Sequence, residues 1–295
     1  MGGLRWTHKT SRKLAKELTQ KGSKVGHVTV LRLLRKRKYS PRTNRKNKAK
    51  TQHPDRDRQF KLLAKRRRKC VHDGVPVISI DTKKKELIGN FKNAGVTWRK
   101  TALNVFDHDF PSWADGRAVP FGIYDIARNK GFVSVGVSSE TADFATHAIC
   151  TWWRSEGCQH YPNATRLVIE ADCGGANNPR TWLWRTRLQR LADKLGLTIT
   201  VGHFPPGASK WNLIEHRMFN LISANWAGEP LNSFDKTLKF IRSTRSSTGF
   251  TCRAALDTRS YPTKVKVLSE EKETITLRRH TVLPDWNYTV SPRKL

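Results

Sequence analysis

Three shortages narrow the field before any motif is considered. No apolar run approaches the roughly 18 residues that a membrane-spanning helix needs, so no membrane partner is expected. Residues 1–30 are basic and periodic, without the apolar segment of a secretory leader. Cysteine is sparse and odd in number: Cys70, Cys150, Cys158, Cys173 and Cys252, with no Cys-x-x-Cys pair. That argues against a disulfide framework or a zinc module and fits a reducing cytoplasm. Acid is short as well. Asp and Glu number 24 against 56 Lys and Arg, which gives a formal charge of +32 over 295 residues. A field of that size and sign favours a polyanion, and nucleic acid is the common one.

The excess of base is unevenly spread. Residues 1–70 hold 25 Lys and Arg against three acids, so +22 of the +32 sits in a quarter of the chain. Within it, residues 10–18 read as a short helix with Leu14, Ala15 and Leu18 on its apolar face, ended by Gly22. A turn leads to a second helix, residues 27–36. Helix, Gly-containing turn and basic helix make a helix-turn-helix over residues 1–40, with His27, Thr29, Arg32, Arg35 and Lys36 placed to meet DNA. Residues 41–70 follow as an extended basic linker, including Arg45, and a basic helix over 60–69. The competing reading of both is a solvated charge run.

Beyond residue 70 the texture changes. Residues 75–80 form a β-rich run ending in Asp81, and 120–125 and 132–137 form two more. An excursion with Trp98, Phe106, Phe110 and Trp113 separates the first two. An amphipathic helix over 142–154 precedes a strand at 166–171 that runs into Asp172. A helix from Pro179 leads to a fifth strand, 197–201. This β-β-β-α-β-α-β-α order predicts an α/β domain over residues 71–229: a ribonuclease-H-like mixed five-stranded sheet flanked by helices, preceded by the all-α helix-turn-helix. Residues 230–295 read as a helical and irregular extension, with a helix over 233–242 and short strand-like pieces at 274–277 and 287–290.

Three acids fall where that fold brings strand ends together. Asp81 ends the first strand, Asp172 the fourth, and Glu215 opens a helix after the fifth, following the stiff turn Pro205-Pro206-Gly207. Ser209 is the expected N-cap of that helix, and Asn212 lies one turn before Glu215 on the same face. Carboxylates converging at one sheet edge repel one another unless a cation sits among them, and oxygen-only donors select Mg²⁺ or Mn²⁺. Two such ions are the expected cofactor, suited to phosphodiester chemistry without a protein nucleophile. Each acid also has a plain structural reading, as a cap or turn former. Asp125 and Glu170 are weaker candidates, and Glu86 is expected to pair with the neighbouring lysines. His203 is a candidate for substrate phosphate or proton transfer, or else a satisfied strand-end histidine. Lys83, Lys84 and Lys85 are candidates to hold a DNA backbone. The Gly174-Gly175-Ala176-Asn177-Asn178 turn resembles a phosphate loop without its full fingerprint.

Residues Ile78–Leu87, Ile123–Asn129, Ile169–Asn177 and above all His203–His216 resemble bacterial insertion-sequence transposases of the Rhodopirellula-type DDE group, distantly mariner-like. The resemblance runs from about Leu4 to Val290. It implies a ribonuclease-H-like core, Mg²⁺, cut-and-join chemistry at terminal inverted repeats and target DNA, and the triad Asp81, Asp172 and Glu215. It further implies a homodimer on paired ends and a place on the bacterial nucleoid. Two departures stand out. Family members carry another helical segment in front, so a truncated copy that only binds DNA is the rival expectation. Cys173 stands where glycine is expected after the second Asp.

Overall fold

The computed structural model describes residues 7–42 and 53–293. Arg45 and most of the expected linker lie outside them. The chain divides into two compact units, Met1–Lys48 and Ala49–Leu295.

The first unit holds α1 (Ser11–Gln20) and α2 (His27–Lys36). Thr10 caps α1, its hydroxyl accepting from Lys13 N–H at 3.3 Å, and Ala15 and Val30 are the buried apolar residues. His27, Arg32, Arg35 and Lys36 are exposed along α2, and Thr29 is half-buried.

The second unit is built on one mixed sheet, nine-stranded among the described residues. Its strands are β1 (Val77–Thr82), β2 (Glu86–Ile88), β3 (Gly116–Asp125), β4 (Lys130–Gly136), β5 (Arg166–Ala171), β6 (Thr198–His203), β7 (Thr251–Asp257), β8 (Leu277–Arg279) and β9 (Asn287–Val290). They lie in the order β7-β4-β3-β1-β5-β6-β9-β8, with β2 on β3. β1 is antiparallel to β3 and parallel to β5. The central run β4-β3-β1-β5-β6 is the expected ribonuclease-H-like core. The four further strands correct the expected count of five: three of them come from residues 230–295, which are woven into the sheet.

The helices of this unit are α3 (Arg56–His72), α4 (Ala142–Trp152), the single turn α5 (Cys158–His160), α6 (Trp182–Leu195), α7 (Asn220–Asn225), α8 (Phe234–Ser243) and α9 (Ser269–Glu273). One core joins the sheet to α4 and α6 through Phe144, Ile149, Trp152, Trp184 and Leu188. A second joins β3, β4 and β7 to α7 and α8 through Phe219, Ile222, Trp226, Leu238 and Ile241. Glycine permits the closest approach: a Cβ at Gly122 would stand 2.5 Å from the Phe219 ring.

The basic helix expected over 60–69 is longer, as α3, and is more than a solvated charge run. It buries Gln59, Leu63 and Cys70. Its Arg67 forks onto Glu170, with Nε 3.0 Å from both carboxylate oxygens and Nη2 2.6 Å from Oε2. A Cβ at Gly202 on β6 would collide with the Arg66 guanidinium, so glycine is what lets the helix lie there.

Candidate active site

β1 and β5 are parallel neighbours, so Asp81 near the end of one and Asp172 just past the other emerge on the same sheet edge. β6 lies beside β5, with His203 paired to Ala171, and the chain then turns through the prolines toward Glu215. All three acids are half-buried. Asp81 accepts from Thr82 N–H at 2.8 Å. Burial, then the nearby carboxylates of Asp172, Glu215 and Glu140, push its pKa from the usual 3.8 up to about 8. Glu215 is also raised, chiefly by burial and further by Asp172, against the opposing pull of His216 and Lys83.

Among the described residues no three His, Cys, Asp or Glu side chains form a group that could hold a metal ion. The triad is therefore a set of electrostatic neighbours rather than a closed cage. An open oxygen donor set still fits Mg²⁺, which keeps several waters and binds through one or two carboxylates plus substrate phosphates. Because burial is the larger cause, what the site favours is neutralisation of Asp81, by a proton or by a cation held among the acids.

A carboxyl that holds its proton more tightly folded than unfolded leaves the native state with more bound protons. Stability therefore falls as pH rises between the ordinary value and about 8. Asp81→Asn is expected to be more stable than the parent in metal-free buffer at pH 8 and to flatten the decline. Thermal unfolding across that range checks it; equal slopes in the two proteins would contradict it.

Hydrogen bonds hold the chain around each acid. Asn212 was expected on the helix beside Glu215. It instead precedes the helix and faces inward, fully buried. Its Nδ2 donates to Ile80 O at 2.9 Å, and its Oδ1 accepts from Ser79 Oγ at 2.5 Å. Ser79 Oγ in turn accepts from Ile214 N–H at 3.1 Å. The residues before Asp81 and before Glu215 are thus bolted together. The expected Ser209 cap gives way to a 3₁₀ turn, Ser209–Trp211, and Glu215 opens a π-helical turn, Glu215–Phe219, ahead of α7. Asn212→Ala leaves Ile80 O and Ser79 Oγ short of a partner and is expected to cost about 1–3 kcal/mol in urea unfolding. A change below about 0.5 kcal/mol would contradict this positioning role.

Asp172 is held on two sides. Its Oδ1 accepts from Gly174 N–H at 3.1 Å and Asn177 Nδ2 at 2.9 Å, so the glycine turn serves to orient the acid. Its main-chain oxygen lies 2.6 Å from His203 Nδ1, and His203 Nε2 lies 2.8 Å from the Tyr288 hydroxyl. A carbonyl can only accept, so Nδ1 carries the hydrogen and Nε2 accepts from Tyr288. Tyr288 then accepts from Trp184 Nε1 at 2.7 Å. His203 is neutral, its pKa lowered to about 4 by burial. Fully buried with both ring nitrogens engaged, it is the satisfied strand-end histidine of the two readings and does not reach substrate phosphate.

Cys173 leaves the turn intact. Its thiol donates to Phe204 O at 3.1 Å and is pushed up to about 12 by burial and by Asp172, so it stays a neutral thiol rather than a soft anionic ligand.

The other candidates separate by burial and partner. Asp125 is buried against the Tyr161 hydroxyl at 2.9 Å, and Glu170 is taken by Arg67. Lys83 is buried, 2.9 Å from Glu86 and 4.4 Å over the Trp226 ring, so it is no backbone contact. Lys85 pairs with Glu140 at 3.0 Å, while Lys84 is exposed. Sequence reading passed over Ser79, Tyr288 and Glu140, whose partners lie far off in the chain, and likened the turn holding Asn177 to a phosphate loop.

No curated protein matches this chain. Among solved structures it is similar to a Mos1 transposase paired-end complex with left transposon end (12% identity, TM-score 0.47, 79% of this chain and 65% of that one). A pre-cleavage Mos1 transpososome matches similarly (12%, 0.48, 79% and 65%), as does a Mos1 mariner paired end complex with Mn (14%, 0.46, 79% and 65%). The chain thus spans just under two thirds of those proteins. The family model described as Rhodopirellula transposase DDE domain matches residues 1–292, and the chain belongs to that family.

Proposed function

We propose that the protein is a DNA transposase that breaks and joins phosphodiester bonds at the inverted repeats of an insertion sequence, acting as a homodimer on paired ends. The observation that carries the reading is that Asp81 and Asp172 leave one sheet edge together, with Glu215 near enough to act on Asp81, whose proton affinity is raised by burial and then by these acidic neighbours. Asp81, Asp172 and Glu215 would hold divalent Mg²⁺ or Mn²⁺. A pair of such ions supplies activation of the attacking oxygen and charge stabilisation of the leaving one. The chain's own part is positional. Asn212 and Ser79 fix the spacing of Asp81 and Glu215, Asn177 and His203 fix Asp172, and Lys84 offers positive charge beside the scissile strand.

End recognition falls to residues 1–40, where α2 presents His27, Arg32, Arg35 and Lys36 to a DNA groove, with Thr29 beside them. Residues 71–229 supply the acids of the catalytic domain, whose sheet residues 230–295 complete. Among the described residues no helix is long and apolar enough to cross a membrane. Such an enzyme works on the bacterial nucleoid in the cytoplasm.

The test is a supercoiled plasmid carrying the flanking repeats, incubated with the full chain and Mg²⁺. Strand breaks and joined products that vanish with a chelator are expected. Salt-dependent DNA binding with no metal-dependent breakage would overturn the enzymatic reading and leave a protein that only binds DNA.

A further inference from the structure

Trp182, the first residue of α6, is 44% exposed, although Trp184 two positions on is fully buried. Two cations lie against its ring: the Arg185 guanidinium at 5.1 Å from the centroid and the Lys272 ammonium at 5.9 Å. The indole lines a cavity of about 630 Å³ together with Lys264, Lys266, Gly175 and Glu140. Lys264 and Lys266 are exposed. The nearby acids are already engaged, Glu140 by Lys85 and Glu271 by Arg187 and Arg190.

Gly175 belongs to the turn whose Gly174 and Asn177 hold Asp172, so the cavity abuts the catalytic edge. A base inside a duplex is stacked on its neighbours and has no free face for an indole. An exposed aromatic flanked by cations suits an unpaired base, whose face is available whatever its sequence.

We propose that this cavity holds an unpaired nucleotide of the DNA strand being processed, with its base stacked on Trp182 and its phosphates beside Lys264 and Lys266. The assignment rests on the DNA-breaking function proposed above and adds the form of DNA that the site takes.

The experiment uses the full chain in a chelating buffer, so that no strand is cut. Two probes of arbitrary sequence are compared: a blunt duplex, and the same duplex with a short single-stranded overhang containing the fluorescent adenine analogue 2-aminopurine. The overhang probe is expected to bind about tenfold more tightly and to be quenched on binding. Trp182→Ala removes both effects, and Trp182→Phe, which keeps an aromatic face, restores most of the preference. Lys264→Gln with Lys266→Gln weakens overhang binding and lowers its salt dependence. Equal affinity of the parent for both probes, or unchanged quenching in a folded Trp182→Ala protein, overturns the proposal. Overhang preference in a chain that shows no metal-dependent breakage would sink the catalytic reading and leave this site standing. Breakage without overhang preference would do the reverse.

Discussion

Changing Asp81, Asp172 or Glu215 to Ala, one at a time, is expected to lower metal-dependent DNA breakage about a thousandfold or more. Charge stabilisation by bound metal ions is worth several kcal/mol in the transition state, and each loss of about 1.4 kcal/mol is tenfold in rate. The three acids lie on separate elements but act on one another, since Asp81 feels Asp172 and Glu215 as like charges. Removing any one therefore disrupts the same donor set, and a double change should cost little more than a single one. Binding to DNA should persist in all three variants, because so much of the positive charge lies in residues 1–70. Asp125→Asn is the matched control. That acid is buried against Tyr161 on the same sheet but away from the triad, and its amide can still accept from the phenol. A triad variant that cuts DNA as fast as the parent would remove its residue from the mechanism.

The second large effect is on folding. Arg67→Ala is expected to destabilise the protein by about 3–5 kcal/mol, because it strips Glu170 of its hydrogen-bonded partner and leaves a buried acid that must stay charged with only Arg66 nearby or take up a proton. Glu170 is wholly inaccessible, and Arg67 meets both of its oxygens. The loss is chiefly that of a stranded charge, so the double change Arg67→Met with Glu170→Leu should recover most of it. Urea unfolding of the three proteins checks this. A loss under about 1 kcal/mol for Arg67→Ala would mean that the pair behaves as a surface ion pair and that α3 packs loosely on the sheet.

That pair also shows where the sequence was hard to read. Six basic residues crowd residues 61–69, and a charge run of that kind normally faces water. Nothing local tells that Arg67 reaches a buried acid on β5 while Arg68 stays exposed. Strong periodicity was legible by contrast. The basic helix at 27–36 and the apolar strand at 166–171 lie where their patterns place them, because both patterns run unbroken from end to end. Strand β7 went unread because its Ala254 and Ala255 carry little β-preference, and it is held by parallel pairing with β4.

In the candidate site the strand-end positions of Asp81 and Asp172 were legible, since their apolar strands are parallel neighbours. Their supports were not. Asn212 looked like a helix residue by spacing, yet its amide bonds go to β1, far back in the chain, and they set the start of the Glu215 helix in place of Ser209. His203, ending a strand near the acids, could be a group for substrate or a satisfied structural residue, and nothing local decides between them. The register turns it inward, where the Tyr288 hydroxyl from β9 meets it. Lys83 looked like one of three equivalent lysines, but its ammonium lies over the Trp226 ring beside Glu86 while Lys84 and Lys85 stay exposed.

The central claim is that these three carboxylates share divalent ions, and anomalous diffraction from Mn²⁺ in crystals of the chain with DNA tests it most directly. The account expects manganese peaks bounded by the carboxylates of Asp81, Asp172 and Glu215, and none there in Asp81→Ala crystals grown in the same way. Manganese bound elsewhere on the chain, with the three acids bare or paired to lysine and arginine, would contradict it.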